Sequence, residues 1–375
     1  MKFWTVIGGA TVVALVGAGA RAAARPASAA AAADFTATVL VGNLDTPWDM
    51  VWGPDGMIWV SERGGRISRV DPRSGARTTV GTVAGVYRSG EGGLMGIAIH
   101  PDFARQPYLY AMHTYEDRGS TRNKLVRMRV ASGVIGAPET LFDGIRGAGI
   151  HNGSRIVVGS DGFLYLSTGD AGDGAIAQDT ASINGKVLRL TLDGRPAPGN
   201  PFGNTVWSFG HRNPQGLVFH PATGVLYETE HGPSDNDEVN IIERGRNFGW
   251  PNVHGMCDES DEREFCRRHN VVEPLTTWTP TVAISGADLY LSDAIPSFRN
   301  ALLATSLNGN SFWRMTLSAD GRRIVNRERL LDGTYGRLRD VLVAPNGDVY
   351  ICTSNRDGRG SPREGDDRII RLSHR

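Results

Sequence analysis

Short apolar stretches, separated by turn residues, run through the chain from about residue 35 to its end. One unit recurs: an apolar strand, a turn rich in Pro, Asp, Asn or Gly, and a strand of alternating aromatic and aliphatic residues. Asp-Gly and Asn-Gly pairs supply the positive φ angles of tight hairpins. No apolar stripe with the 3.6-residue period of a helix extends beyond two turns. The pattern therefore predicts a chain built from β-hairpins.

The recurring unit indicates how many hairpins there are. The copies span residues 50–63, 97–112, 156–168, 217–230 and 341–353, with a weaker copy at 298–307. A strand repeat spaced by roughly 45 to 80 residues is typical of a β-propeller. We predict an all-β fold, a six-bladed β-propeller with four-stranded antiparallel blades around a central channel. Residues 368–372 are expected to pair beside residues 35–41 and close the ring. A β-sandwich, or a pair of smaller β domains, is the alternative.

Residues 1–33 have a different composition from the rest. Lys2 is followed by an apolar run and an Ala-rich stretch, which is typical of a secretory signal peptide and spacer. An uncleaved membrane anchor is the alternative, although the run is short for a span. We therefore predict a propeller domain over residues 34–375 that is secreted or periplasmic and has no membrane span of its own.

Composition and cysteine usage narrow the class further. The chain is 40% hydrophobic and 21% charged, with a formal net charge of zero and no basic stripe, which argues against a nucleic-acid partner. In an oxidising compartment Cys257 and Cys266, nine residues apart in a polar loop, are expected to form a disulfide. Cys352 lies in an apolar strand and is expected to be a buried free thiol. No Cys/His spacing typical of a zinc site is present, and no Cys-x-x-Cys-His haem motif.

Polar residues at strand ends suggest where chemistry occurs, because propeller loops from distant parts of the sequence converge on the channel. His151 precedes one predicted strand and Asp170 ends its partner, so a carboxylate could orient an imidazole base. Arg337 and Arg339 alternate on a strand and would present two guanidinium groups to one side. Together with Arg212 they favour a ligand with several carboxylates over a neutral sugar.

A second cluster suggests a cation site. Gly232 and Pro233 precede Asp235, Asp237 and Glu238, and calcium prefers carboxylate and carbonyl oxygens. An acidic turn without an ion is the alternative.

Seven motifs in order carry a resemblance that covers residues 40 to 372: H-N-G-S-R-I, T-G-D, N-G-K-V-L-R-L, G-H-R-N-P-Q-G-L, E-H-G-P-S-D-N-D-E-V-N-I-I, N-F-G-W-P and R-L-R-D-V. This set resembles the soluble quinoprotein glucose/sorbosone dehydrogenases, the aldose sugar dehydrogenase group. The resemblance implies a six-bladed propeller that binds pyrroloquinoline quinone (PQQ) and calcium.

The same resemblance implies roles for individual residues. His151 would be the base that takes the proton of the sugar C1 hydroxyl while hydride moves to the quinone, and Asp170 would orient it. Arg212 and Asn213 would contact the quinone and the substrate. The remaining implied ligands are Arg337 and Arg339 for PQQ carboxylates, the Gly232 and Pro233 carbonyls for the cofactor's calcium, and Glu238 with the Phe248 carbonyl for a second, structural calcium.

Two positions of the expected cofactor-binding set depart from the family pattern. Glu91 stands where the family often has Gln, and Asn308 stands where it often has Lys. Beyond the N-terminal region the chain has only two lysines, Lys124 and Lys186, and neither lies in that segment. The departures predict weaker cofactor binding, because a charge-assisted bond is replaced and a carboxylate is added.

The sequence thus predicts an exported PQQ-dependent dehydrogenase of aldose sugars. The enzyme would pass electrons to an external acceptor, which the sequence does not identify, and would be a monomer or homodimer. One alternative is a non-redox propeller of the same descent that serves as a binding module. Another is a calcium-dependent lactonase, which would need side-chain carboxylates directly on a channel metal.

Overall fold

The computed structural model of the protein describes Met1 and residues 34–375. The predicted signal peptide lies outside the described residues. Six antiparallel sheets form the blades of a β-propeller, as predicted, and the first strands of the blades adjoin one another in a closed ring. No helix among the described residues has the length and apolar character needed to cross a membrane.

The blades follow one another along the chain. The strands are β1 (Phe35–Val41), β2 (Pro47–Trp52), β3 (Ile58–Glu62), β4 (Arg66–Val70), β5 (Arg77–Thr82), β6 (Leu94–Ile99), β7 (Tyr108–Asp117), β8 (Ser120–Ala131), β9 (Val134–Ile135), β10 (Glu139–Arg146), β11 (Gly153–Val158), β12 (Leu164–Thr168), β13 (Lys186–Leu190), β14 (Val206–Phe209), β15 (Pro214–Phe219), β16 (Leu226–Glu230), β17 (Asp237–Ile242), β18 (Thr276–Trp278), β19 (Ile284–Tyr290), β20 (Ala301–Ser306), β21 (Ser311–Leu317), β22 (Ile324–Leu330), β23 (Leu338–Val343), β24 (Val349–Thr353) and β25 (Ile369–His374). Blade 1 is β2–β5, blade 2 is β6–β8 with β10, blade 3 is β11–β14, blade 4 is β15–β18 and blade 5 is β19–β22. Blade 6 combines β23, β24 and β25 with β1, while the short β9 pairs with β8 of blade 2.

The ring closes where the two ends of the described chain meet. Strand β1 pairs antiparallel with β25, with Ala37 opposite Leu372 and Val39 opposite Ile370. This confirms the predicted closing pair. Because the sixth blade contains both ends, it cannot form without tying residue 35 to residue 374.

Neighbouring blades are held together by apolar side chains. Six buried clusters fill the six gaps between blades, such as Trp59 with Leu94 between blades 1 and 2, and Met50 with Tyr350 between blades 1 and 6. Burial of apolar area is the dominant favourable term in folding. Each blade therefore depends on both neighbours for its stability.

The weaker sequence repeat located only part of its blade. The five clear copies are the inner hairpins of blades 1, 2, 3, 4 and 6, but residues 298–307 contain only β20 of blade 5. Its partner β19 was missed because the connection is not a tight Asp-Gly turn. A longer turn with a 3-10 helix at Pro296–Phe298 joins the two strands.

The predicted polar loop around the cysteines is instead a helix, α1 (Ser260–His269). It has no apolar stripe to reveal it, because nearly every residue is polar or charged. Its signals are at the ends: Glu259 and Glu262 form a capping box, and Arg267 begins a basic last turn that complements the helix dipole. A disulfide joins Cys257 to Cys266, as predicted, and Cys352 is a buried free thiol in β24.

Candidate active site

A cavity of about 600 Å³ lies where the first strands of the blades begin. Every blade contributes to its wall through the start of its first strand or the segment that leads into it. One residue from each blade, in chain order, is Trp48, Glu91, His151, Arg212, Ala283 and Arg337. Side chains separated by almost 300 residues in sequence therefore face one space.

Each inner strand carries an irregularity in pairing close to this cavity. The register shifts lie at Pro47/Asp49, Leu94/Ile97, Gly153/Ile156, Pro214/Gly216, Ile284/Ala287 and Leu338/Asp340. A β-bulge breaks the alternation of side chains and re-aims them. This explains why side chains at the strand starts line the cavity instead of packing between blades.

His151 and Asp170 form a hydrogen-bonded pair. Nδ1 of His151 lies 2.7 Å from Oδ1 of Asp170, and the two side chains are 13% and 1% exposed. Oδ1 also accepts the amide of Gly172 at 2.8 Å, while Oδ2 accepts Nε1 of Trp250 at 2.9 Å. Burial alone would raise the pKa of Asp170, but the hydrogen bond and charge of His151, with the other donors, hold it below its usual value. An ionised Asp170 fixes the hydrogen of the neutral imidazole on Nδ1 and leaves Nε2 as a proton acceptor.

The Thr-Gly-Asp sequence that ends β12 has a steric cause. A Cβ at Gly169 would lie 2.0 Å from the carbonyl oxygen of His151, so only glycine fits there. His151 itself has a positive φ of 55°. The close approach brings Asp170 beside the imidazole.

Three arginines of the cavity have no carboxylate partner among the described residues: Arg63, Arg212 and Arg339. The Nε atom of each is buried without a hydrogen-bond partner in the described structure. Arg63 and Arg339 are only 4% and 6% exposed. Burying an unpaired charge is costly, so these arginines favour an anionic ligand in the cavity.

Arg337 and Arg339, which alternate along the chain, have different partners. Arg337 is paired with Asp357 at 2.8 Å, and this charge holds the pKa of Asp357 below its usual value although burial opposes it. Arg339 instead donates to Oε1 of Gln215 at 2.9 Å. Burial lowers the pKa of Arg339 to about 10, so it stays charged at neutral pH.

A half-buried histidine lies beside these arginines. Burial and the charges of Arg339 and Arg212 hold the pKa of His231 well below its usual value, so its ring is neutral. Nδ2 of Asn213 lies 3.4 Å from its Nδ1, and Oδ1 of Asn213 accepts the amide of Gly153 at 3.1 Å. His231 therefore presents an Nε2–H donor without a partner among the described groups.

The two positions that depart from the family pattern lie at the mouth. Oε1 of Glu91 accepts Nη1 of Arg359 at 2.6 Å, and its Oε2 accepts the backbone amide of His151 at 3.1 Å. The guanidinium of Arg359 therefore neutralises Glu91, and the sequence pattern did not reveal this pairing. Asn308 is exposed at the cavity wall, with its amide 3.5 Å from the carbonyl of Thr281.

The carbonyl oxygens expected to bind calcium are available. Gly232 and Pro233 line the main cavity, and no described group donates a hydrogen bond to either carbonyl oxygen. Asp237 accepts the amides of Gly232, Val282 and Ile284, so backbone groups already use its carboxylate. Burial raises the pKa of Asp237 to about 6.

A second, small cavity of about 10 Å³ adjoins the main cavity. Gly232 and Pro233 line it together with Glu230, Glu238 and Phe248. Such a volume suits a single ion or water. Burial and then the charge of Glu230 raise the pKa of Glu238 to about 8. The carbonyl of Phe248 receives no hydrogen bond from the described groups.

Further ligating groups that sequence reasoning missed lie close to Glu230, which lines this small cavity. His211, Glu228 and Glu230 are buried and offer ligand atoms within 4.8 Å of one another. Burial and the charge of Glu230 hold the pKa of Glu228 well above its usual value. These carboxylates have no lysine or arginine partner among the described residues, so a cation would offset their charge.

The structure brings the residues singled out from the sequence into one region. Ten of them line the main cavity: Glu91, His151, Arg212, Asn213, Gly232, Pro233, Asp237, Asn308, Arg337 and Arg339. Asp170 contacts His151, while Glu238 and Phe248 line the small cavity. The sequence reasoning missed Trp48, Arg63, Gln215, His231, Trp250, Asp357 and Arg359. Of these, Gln215, His231 and Trp250 lay within motifs that had been noticed and carried a signal.

Comparisons with known proteins agree on one family. The glucose/sorbosone dehydrogenase family model matches residues 44–370. Quinoprotein glucose dehydrogenase B of Acinetobacter calcoaceticus is 31% identical, over 88% of this chain and 88% of that protein. Aldose sugar dehydrogenase YliI of Escherichia coli is 30% identical, over 89% of this chain and 95% of that protein. The structure of the PQQ-bound aldose sugar dehydrogenase of Streptomyces coelicolor has a TM-score of 0.79 and 38% identity, over 91% of this chain and 99% of that one.

Proposed function

The chain belongs to the glucose/sorbosone dehydrogenase family of sugar-oxidising enzymes, and from this membership we propose that it is an exported, PQQ-dependent dehydrogenase that converts aldoses to lactones. The observation that carries the proposal is the set of cavity arginines without carboxylate partners, Arg63, Arg212 and Arg339. PQQ is a flat tricarboxylate, so its charge would offset these three cations. A neutral sugar alone would leave them uncompensated.

The residues present also fit calcium. Unused carbonyl oxygens at Gly232 and Pro233 are hard ligands that face the main cavity. Glu238 and the Phe248 carbonyl would hold a second ion in the small cavity. Calcium at the first position would polarise the quinone. A lactonase site is less well supported, because backbone amides already bind the carboxylate of Asp237.

His151 would act as the base in the oxidation. Its Nε2 would take the proton of the sugar C1 hydroxyl, while C1 loses its hydrogen as hydride and the C1–O bond becomes the lactone carbonyl. When bound, PQQ supplies the oxidant that accepts this hydride. Asp170 would hold the ring and stabilise the imidazolium that forms, as the buried aspartate does in Ser-His-Asp triads. Arg212, which lies over the Trp250 ring, would contact the quinone and the sugar.

Export is part of the proposal. The signal-like residues 1–33 support it, and so does the disulfide between Cys257 and Cys266, since disulfides persist in oxidising compartments.

Reconstitution tests the proposal. The secreted protein would be stripped with a chelator, loaded with PQQ and calcium, and assayed for dye reduction with a panel of aldoses. We expect sugar-dependent reduction only when both PQQ and calcium are present. Tight PQQ binding without turnover of any aldose would favour the non-redox binding module, and absence of PQQ binding would refute the proposal.

A further inference from the structure

The mouth of the cavity carries an ion pair between two blades. Arg359 follows β24 of blade 6 and is 57% exposed, whereas Glu91 precedes β6 of blade 2 and is 24% exposed. Glu91 uses one carboxylate oxygen for Arg359 and the other for the backbone amide of His151. A single carboxylate therefore ties Arg359 to the segment that holds the proposed base.

Arg359 is also tied to the arginine pair inside the cavity. Its backbone amide donates to Oδ1 of Asp357 at 2.9 Å, and Asp357 is the partner of Arg337. Arg337 in turn reaches the carbonyl of Leu307, the neighbour of Asn308, at 3.4 Å. Arg359 and Asn308 thus flank the same Arg337–Asp357 pair.

Neither lysine of the described residues is available to this part of the wall, and the cavity arginines without a carboxylate partner, Arg63, Arg212 and Arg339, are less exposed than Arg359. Lys124 packs on the ring of Tyr115, and Lys186 is buried against carbonyls in blade 3. Asp357 already neutralises Arg337. Exposed ion pairs contribute little to stability, so Arg359 can exchange Glu91 for another carboxylate at small cost.

We propose that Arg359, held at the mouth by Glu91, is an additional cofactor-binding residue that supplies the positive charge absent at Asn308. The inference rests on the proposed function, because the anion it binds is a carboxylate of PQQ. Two accounts of Arg359 must be separated. It binds the anion itself, or it only neutralises Glu91, which would otherwise repel an anion.

Titration of PQQ into the calcium-loaded protein, monitored by fluorescence or calorimetry, separates these accounts when it is applied to a set of variants. Arg359→Gln is expected to raise the dissociation constant about tenfold, the effect of one lost charge-assisted hydrogen bond. The double variant Glu91→Gln/Arg359→Gln has the net charge of the parent and is expected to keep that loss. Arg359→Gln/Asn308→Lys is expected to recover most of the affinity. Arg299→Gln, which removes an arginine of similar exposure paired with Asp293, is the matched control.

The outcomes are distinct. An unchanged dissociation constant in Arg359→Gln, with PQQ bound by the parent, would overturn the inference and leave the proposed function standing. Parental affinity in the double variant would overturn it as well, because Arg359 would then only neutralise Glu91. A parent that does not bind PQQ would refute the proposed function, and this inference with it. Melting temperatures of the cofactor-free variants, compared with Arg299→Gln, report whether the fold is intact.

Discussion

The indole Nε1 of Trp250 donates a hydrogen bond to Oδ2 of Asp170 at 2.9 Å. Trp250 lies in the segment between β17 and β18 of blade 4, whereas Asp170 follows β12 of blade 3. The guanidinium of Arg212 lies 5.3 Å from the centre of the same ring. One side chain therefore holds the carboxylate that orients His151 and also packs against Arg212.

Trp250→Phe should separate these two contacts, because it keeps a ring under Arg212 and removes the hydrogen bond. We expect kcat to fall about tenfold, less than in Asp170→Asn, since a hydrogen bond to a charged group contributes about 1.5–3 kcal/mol. Losing a donor raises the pKa of Asp170, so the decline of activity at low pH should begin at a higher pH than in the parent. A pH series of kcat for the three proteins measures this. An acid limb that does not move would show that Trp250 only packs.

Arg339→Gln tests whether the buried cation Arg339 serves ligand binding and not the stability of the fold. Arg339 is buried and has no carboxylate partner among the described residues, so its removal should not lower the melting temperature of the cofactor-free protein. PQQ affinity should fall tenfold or more. Arg189→Gln is the matched control, because Arg189 is equally buried but pairs with Asp161 at 2.8 Å and should lose stability when replaced. Loss of stability in both variants, with PQQ affinity retained in Arg339→Gln, would contradict the assignment.

Calcium removal should destabilise the protein even without PQQ. Glu228 and Glu230 are buried and Glu238 is half-buried close to them, and an ion that binds only the folded state stabilises it by about 2.7 kcal/mol at a hundredfold excess over its dissociation constant. Thermal melts with chelator, calcium and magnesium measure the effect. The calcium-dependent rise should shrink in Glu238→Gln. Equal melting temperatures in chelator and in calcium would mean that the carboxylates hold no ion.

The buried Lys186 should make the free energy of unfolding depend on pH. Burial lowers its pKa from 10.5 to about 7, and its ammonium donates to the carbonyls of Ile176, Ala177 and Asn184 at 3.0, 2.9 and 2.6 Å. Between these pKa values the unfolded chain binds more protons than the folded one, so the stability of the parent rises with pH. Lys186→Met lacks this contribution, and its deficit relative to the parent should grow from about pH 7 to about pH 10. Denaturant titrations at both pH values give the deficit, and a constant value would show that the carbonyls keep the ammonium charged.

Much of the fold could be predicted because hairpin turns and strand alternation are local signals. Five of the six inner hairpins and the closing pair of residues 35–41 with 368–372 were found this way. The inner hairpin of blade 5 was missed because its turn is long. Helix α1 was missed because it buries almost no apolar surface. Both failures arise where the local pattern of hydrophobic residues carries no information.

The candidate site could be predicted only where residues form compact motifs. His151, Asp170, Gly232 and Pro233 lie in such motifs. Arg63, Asp357 and Arg359 do not, because they gain meaning only when blades 1, 2 and 6 meet around the cavity. The bulge at the start of each inner strand decides which side chains face the cavity, and strict alternation cannot predict it.

The central claim is that His151 accepts the proton during sugar oxidation by bound PQQ. It is tested by mixing PQQ- and calcium-loaded protein with an aldose in the absence of other acceptors and following the cofactor spectrum. The account predicts rapid reduction of PQQ in the parent, and in His151→Ala undiminished PQQ binding with reduction slowed by about 10²–10⁴-fold, the usual range for a positioned base. Reduction at the same rate in both proteins, or no reduction in the parent, would contradict it.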